Sequence, residues 1–221
     1  MKILIITHTY PPEPGLLVQE LAQTLIAYGH SVTVLTGFPN YPSGQLYPGY
    51  HLHFRQKGTV AGVPVVRVPL YPDHSRSSIK RALNYLSFGV SASVCGWGAL
   101  PKPDVMFVYH PPLTIGIPGY ILSRFWRVPF IFHIADMWPE TLSATGMLNN
   151  TALLKIVGSF AKWIYSKADA ISVISPGFRK NLISKGVPAD KVHVISNWID
   201  ANFYHPVEPD VVKAQKLGLS E

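Results

Sequence analysis

The sequence predicts an α/β domain, a parallel sheet with helices on both of its faces. Short apolar segments of strand length recur along the chain: KILIITH, SVTVLTG, VPVVRVPL, PDVMFVYH, VPFIFHI and ADAISV. Most of the segments between them carry apolar residues at spacings of three and four, the mark of a helix with one buried stripe. Strand and helix alternate from the first residues onward, which is the order that builds parallel sheets with buried strands.

Taken in order, KILIITH is a buried first strand. Its apolar run, Ile3 to Ile6, is too short for the apolar region of a signal peptide. PPEPG is a rigid turn, and LLVQELAQTLIAYGH is helical, with Leu17, Leu21, Ala22, Leu25 and Ile26 in phase and Gly29 as its stop. SVTVLTG then completes a βαβ unit within the first 37 residues. Phe38 to Gly62, rich in Pro, Gly, Tyr and His, is a long loop with room for a short hairpin. VPVVRVPL is a third strand, exposed enough to carry Arg67. Ser77 to Leu100 is mostly helical. Within it the uncharged stretch Ala82 to Pro101 holds three glycines, three serines and Asn84, which favours a buried or interface-lying helical hairpin over a membrane span. PDVMFVYHPP is a strand feeding a loop, and LTIGIPGYILSRFW is a helix interrupted near Pro118. VPFIFHIADMWP is a strand that delivers His133, Asp136 and Trp138 at its carboxyl end. Asn149 to Lys167 is a helix, with Leu153, Ile156, Val157, Phe160 and Ile164 in phase. ADAISVISPG is a strand, after which Ser175 caps a short helix with Pro176 in its first turn and Gly186 closing it. DKVHVISNWID is a last strand and its exit loop.

Composition bounds the function classes. The chain has 221 residues, 48% hydrophobic and only 14% charged, which excludes extensive disorder. The net charge is +7, with Arg76, Lys80 and Arg81 clustered and Arg124 and Arg127 flanking Trp126. Such a surface suits nucleotides, anionic lipid headgroups or nucleic acid. No zinc-finger spacing and no aromatic-basic single-strand motif occurs, so a nucleic-acid partner is set aside. Lipid contact through residues 76–100, which include Phe88 and Trp97, and solvated charge beside a buried helix account for the basic cluster equally well. The single Cys95 excludes an internal disulfide, fits a reducing compartment and reads as buried bulk.

In open sheets of this kind ligands bind outside the carboxyl ends of the strands. The unusual residues gather there: Pro11 to Gly15, His110 to Pro112, His133 to Pro139, Ser175 to Gly177 and Asn197 to Asp200. PPEPGLL precedes a helix N-terminus, whose free N–H groups favour an anion such as phosphate. It has one glycine rather than G-x-G-x-x-G or a phosphate loop, and a tight βα turn would need Gly15 just as much. His110 is held near its strand end by two prolines. His133 and Asp136, three apart, are suited to orient sugar hydroxyls, hold a base or bind a metal, and no H-E-x-x-H spacing favours the metal. Alone, His133 is as readily structural as functional; three polar residues on neighbouring strand ends favour function jointly. Glu140 can hydrogen-bond a hydroxylated ligand, or Trp138-Pro139-Glu140 can pack a loop over the sheet. No G-x-S-x-G occurs, which argues against a nucleophilic hydrolase.

Together PPEPG with LAQTLIAYGHSVTVLTG, PDVMFVYHPP, FHIADMWPE and ADAISVISPGFRKNLISKGVPADKVHVISNWID, then ANFYHP, resemble the N-terminal domain of a retaining GT-B glycosyltransferase, over essentially the whole chain. The likeness leans toward bacterial transferases of O-antigen or capsule assembly, including those related to fucosamine transfer. It implies a Rossmann-like parallel sheet with helices on both faces, one half of a GT-B architecture. Residues 1–204 would be the acceptor-side domain, and 205–221 a linker and the start of a C-terminal donor-binding domain. The substrates implied are a nucleotide-diphosphate sugar, with an N-acetylated amino-deoxy sugar among the candidates, and a lipid-linked saccharide acceptor. The setting implied is the cytoplasm, at the inner face of the bacterial inner membrane. His110, His133 and Asp136 would form the catalytic cleft, Gly15 and Asn197 would meet the donor, and Glu13, Trp138 and Glu140 the acceptor. Trp198 stands where the family has a glycine after Asn197, and Leu16 where it has a second glycine after Gly15. The mechanism implied is a front-face displacement through an oxocarbenium-like state with no protein nucleophile, no cofactor and no required metal. This polypeptide by itself is expected to be inactive. Two other readings stand beside it: a non-catalytic saccharide- or lipid-binding domain, and a nucleotide-dependent oxidoreductase or epimerase, the latter weakened by the missing G-x-G-x-x-G.

Overall fold

The computed structural model describes residues 1–75, 77–199, 201, 204–206, 208 and 210–218, and of Trp97 only the backbone. The expectations placed on Arg76, Asp200 and the Trp97 side chain lie outside the described residues. The strands are β1 (Lys2–Thr7), β2 (Ser31–Gly37), β3 (Gln56–Val60), β4 (Val63–Val68), β5 (Val105–His110), β6 (Phe130–Ile134), β7 (Ala170–Val173) and β8 (Val192–Val194). The helices are α1 (Leu17–Ala27), α2 (Ser78–Cys95), α3 (Gly116–Trp126), α4 (Glu140–Ala144), α5 (Thr151–Lys167), α6 (Pro176–Ser184) and α7 (Val211–Lys216).

One sheet of eight strands runs in the order β3-β4-β2-β1-β5-β6-β7-β8. Every neighbouring pair is parallel except β3 with β4, a hairpin closed by Ala61 and Gly62, both at positive φ as a tight two-residue turn requires. The chain builds outward from β1 to β4, then returns through α2 to place β5 on the other side of β1. The strand order therefore reverses between β1 and β5, and their carboxyl ends splay apart into a crevice there.

Strand alternation divides the core in two. Leu4, Ile6, Met106, Val108, Phe130 and Phe132 face α2, α3, α5 and α6, packing with Phe88, Ala92, Leu122, Ile164 and Leu182. Ile3, Ile5, Val32, Val34, Val63 and Val65 face α1, packing with Val18 and Ala22. Helices cover both faces, unequally. Side-chain caps fix several helix starts: Ser77 Oγ accepts from the Lys80 amide, Asn150 Oδ1 from Leu153 and Ser175 Oγ from Phe178, with Pro176 in the first turn of α6. Cys95 is free and buried.

Three expectations are corrected. Arg67 is only 4% exposed; its Nη1 donates to the Gly37 carbonyl at 2.9 Å and its Nη2 to that of Pro11. The β3 hairpin strand covers the edge of β4, so the guanidinium turns to backbone carbonyls instead of water. Pro118 does not interrupt a helix, because α3 begins at Gly116 and the proline falls in its first turn, where no intrahelical N–H is needed. Ser78–Cys95 is one continuous helix rather than a hairpin, since its buried residues, Asn84, Phe88, Ala92 and Cys95, stay in phase throughout. None of the described helices is long and apolar enough to cross a membrane.

Two helical glycines separate tight packing from simple flexibility. A Cβ on Gly119 would lie 2.9 Å from Cγ2 of Val108, a stiff β-branched side chain in the core, whereas one on Gly158 would meet only Pro139, at 3.7 Å. Gly119→Ala is expected to destabilise by about 1–3 kcal/mol, and Gly158→Ala to be neutral or stabilising by up to about 1 kcal/mol. Urea unfolding of the two variants checks this, and equal effects would contradict the packing of α3 on β5.

Candidate functional site

The crevice at the carboxyl ends of β1, β2 and β5 holds a cavity of about 220 Å³. His8 and Thr9 enter it from the end of β1, Asn40 and Tyr41 from the exit of β2, and Tyr85 from α2; His74, Pro111 and Pro112 complete the wall.

A buried polar network shapes this mouth. Glu13, 2% exposed, accepts from the Tyr10 amide on one carboxylate oxygen (3.0 Å) and from the Asn40 and Tyr41 amides on the other (2.9 Å each). Burial pushes its pKa up, while those amides and the Arg67 guanidinium pull the other way. Asn40 donates from its side chain to the Phe38 carbonyl and accepts from Asn84, which also donates to the Tyr71 carbonyl. The structure thus gives Glu13 a different task from the acceptor contact expected of it. Both oxygens are spent on holding the first loop against the β2 exit.

His8 is a site residue that the sequence reading passes over. It is buried, touches Tyr85 and Phe88 edge-on (5.5 and 5.1 Å), and its Nε2 has no hydrogen-bond partner among the described residues. Burial lowers its pKa to about 4, against a hydrogen bond with Asn84. The signal available was its place just after the apolar run of β1, at a strand end like His110.

His110 is 1% exposed, lies edge-on to Trp138 at 5.5 Å, and neither ring nitrogen has a partner among the described residues. Burial drives its pKa down to about 3, with the Asp136 charge opposing. Asp136 accepts from the Trp138 indole at 3.1 Å and from the Thr141 hydroxyl at 2.6 Å, so it fixes the loop that lays Trp138 over His110. Tyr85 bridges the two histidines, touching His8 on one side and Trp138, at 5.9 Å, on the other. His8, Tyr85, Trp138, His110 and Asp136 therefore form one connected cluster.

His133 is not part of it. It pairs with Tyr109 in the β5–β6 register, one residue out of phase with His110, so its ring leaves the opposite face of the sheet. There it stacks on Tyr109 and Phe107 (4.9 and 5.4 Å), and its Nδ1 is 2.8 Å from the Ser172 hydroxyl. It is buried, its Nε2 has no hydrogen-bond partner among the described residues, and burial lowers its pKa to about 4. Glu140 opens α4 and is ion-paired with Lys185; burial raises its pKa, but hydrogen bonds from Lys185, its own backbone and Asn181, with the Lys185 charge, together lower it, so it faces a cation of the protein. Gly15 is exposed at φ +109°, with nothing within 4 Å of where a Cβ would stand. The next residue, Leu16, gives α1 no side-chain cap, so no capping side chain claims the first N–H groups of that helix. Asn197 is exposed beyond β8, three strands from β5, and is not brought to the crevice. Among the described residues no group of three His, Cys, Asp or Glu is placed to hold a metal ion.

The histidines make stability depend on pH with a definite sign. Their folded pKa values lie below the ordinary 6.5, so between about pH 4 and 6.5 the unfolded chain binds more protons. Stability is full above pH 6.5 and falls as pH drops toward 4, by at most about 1.4 kcal/mol per pH unit for each histidine. Urea unfolding at pH 7.5 and 5.0 is expected to show this loss, and His110→Phe to reduce it. An unchanged pH dependence in the variant would contradict a neutral, buried His110.

Comparison with known proteins places this geometry. A family model described as a glycosyl transferase 4-like domain matches residues 14–198. WcaI of Escherichia coli K12, named as a colanic acid biosynthesis glycosyl transferase, is 29% identical over 96% of this chain and 54% of its own length. The chain thus spans about half the length of the curated relative it matches. Among solved structures, Anabaena HepE in complex with UDP and glucose superposes with a TM-score of 0.52 at 21% identity, over 99% of this chain and 50% of that one. Sucrose-phosphate synthase of Thermosynechococcus elongatus superposes with a TM-score of 0.59 at 14% identity, over 99% and 53%. At these identities the two structures show the shared fold.

Proposed function

Because the chain belongs to the glycosyl transferase 4-like domain family, we propose that it forms the acceptor-side half of a retaining glycosyltransferase of bacterial surface-polysaccharide assembly. The observation that carries this reading is the crevice itself: two buried, neutral imidazoles with unpaired ring nitrogens, His8 Nε2 and both of His110, and an uncapped helix N-terminus, all at the carboxyl ends of the central strands. WcaI is named for colanic acid biosynthesis, and HepE was crystallised with UDP and glucose. By analogy the donor here is a nucleotide-diphosphate sugar, an N-acetylated amino-deoxy sugar among the classes to try.

The chemistry follows from the groups present. A diphosphate near the start of α1 would meet uncapped N–H groups and the positive end of the helix dipole, and Gly15 lets backbone approach closely. His110 offers a donor and an acceptor to sugar hydroxyls without carrying charge. Asp136 already accepts from Trp138 and Thr141, which suits a positioning role better than attack on an anomeric carbon. That favours displacement on one face, with the leaving diphosphate taking the acceptor's proton. Cationic groups around the diphosphate would stabilise the departing charge without a required metal.

A lipid-linked acceptor fits the helical face beside the crevice. Ile79, Leu83, Leu86, Val90 and Val94 are all exposed on α2 and fall within about 80° of arc at 100° per residue. Helices α2, α3 and α5 carry Lys80, Arg81, Arg124, Lys155, Lys162 and Lys167 and no acidic residue. Such a face suits an anionic membrane surface, here the inner leaflet.

Two measurements test this. In the full-length enzyme, His110→Phe keeps the ring packing and removes both nitrogens, and is expected to lower kcat for sugar transfer by roughly 100-fold. Wild-type turnover would remove His110 from the site. The chain should also sediment with anionic liposomes at low salt and be released at high salt, and Val90→Glu should weaken it. No sedimentation at low salt would count against membrane contact.

A further inference from the structure

An apolar groove of about 310 Å³ leads away from the crevice between α2, α4 and α5. Ile79 and Ala82 of α2, Leu142 of α4, and Leu153 and Ile156 of α5 form its walls. Tyr85 and Trp138 also line it, and these same rings face the crevice, Tyr85 in its cavity wall and Trp138 against His110. Groove and crevice cavity are therefore neighbours that share the Tyr85 ring as a common wall.

Arg81 stands at the junction. It lines the groove, and its charge acts on His74 and Tyr85, both in the wall of the crevice cavity. Its Nε is buried and has no hydrogen-bond partner among the described residues. A buried guanidinium N–H left unpaired is costly, and a phosphate oxygen is the acceptor that suits it best. Three chemistries thus neighbour one another: a cavity of aromatic rings and prolines with His8, Thr9 and Asn40 among them, suited to a saccharide, a guanidinium suited to phosphate, and a trough suited to hydrocarbon. A peptide would bring backbone groups needing partners, and Ser78, a hydroxyl in the lining, already donates to the Met147 carbonyl.

We propose that the groove seats the start of the hydrocarbon chain of a lipid-phosphate-linked acceptor, with Arg81 on the phosphate beside Tyr85. This rests on the acceptor-side reading above and adds where the chain and its phosphate lie. The basic, acid-free surface of α2, α3 and α5 continues outward from the groove, so the rest of the chain passes directly toward an anionic bilayer.

Titration of the chain with farnesyl diphosphate, below its micelle concentration, tests this, with inorganic diphosphate and farnesol as the other two arms. Farnesyl diphosphate is expected to bind at least tenfold tighter than either. Arg81→Gln should remove the preference over farnesol, and Ala82→Trp or Leu153→Glu, at exposed positions that leave folding intact, should each weaken binding tenfold or more. Inorganic diphosphate binding equally well would show a free-phosphate site. Farnesol binding equally well, with Arg81→Gln silent, would show a bare apolar patch. Unaffected binding in both groove variants would place the lipid elsewhere. Each of these overturns the proposal. Sugar transfer by the full-length enzyme without farnesyl diphosphate binding overturns the groove and leaves the function standing; binding without transfer does the reverse.

Discussion

The crevice depends on one buried carboxylate. Glu13 takes three backbone N–H groups, from Tyr10, Asn40 and Tyr41, and lies in the field of the buried Arg67 guanidinium. Arg67 in turn holds the carbonyls of Gly37 and Pro11. Through these backbone bonds the two residues tie the loop after β1 to the exit of β2 and to β4. Removing the Glu13 carboxyl would leave its amides without an acceptor in the interior, a loss on the order of 1–3 kcal/mol. The pair gives the loops at the switch point a fixed shape in which Thr9, Asn40 and Tyr41 become cavity wall.

Inside that frame the useful groups are neutral. His8 and His110 are kept uncharged by burial, and their free nitrogens stand at the ends of β1 and β5 where the strand order reverses. Neutral imidazoles suit hydroxyl-rich ligands, because they can donate and accept without attracting counter-ions. In the proposed reading, the charge an anionic ligand needs comes instead from backbone dipoles at α1 and from Arg81 beside Tyr85. Uncharged hydrogen-bonding groups at the centre with positive potential at the margins would suit a sugar carrying phosphate at either end.

Much of this was legible in the sequence, and the rest was hidden for physical reasons. The alternating elements, the caps at Ser175 and Pro176 and the strand-end setting of His110, Asp136 and Trp138 follow from local periodicity and turn chemistry. His133 was misplaced because strand side chains alternate, and the phase between two neighbouring strands is set by their pairing register: Tyr109 opposite His133 puts it on the other face from His110. The backbone bonds of Glu13 and Arg67 join segments far apart in sequence, so no local pattern announces them, and a lone arginine in a strand reads as exposed. His8 was passed over because it simply closes the KILIITH strand, without the adjoining prolines that mark His110.

The proposed chemistry at the switch point requires its imidazoles to be neutral under working conditions. Ring carbon and nitrogen NMR shifts of His8 and His110, followed from pH 8 down to pH 4, test it most directly. Both rings are expected to stay neutral through pH 6 and to begin titrating only near the acid end. Titration of either ring near pH 6.5 would show a solvated, chargeable histidine and contradict the account.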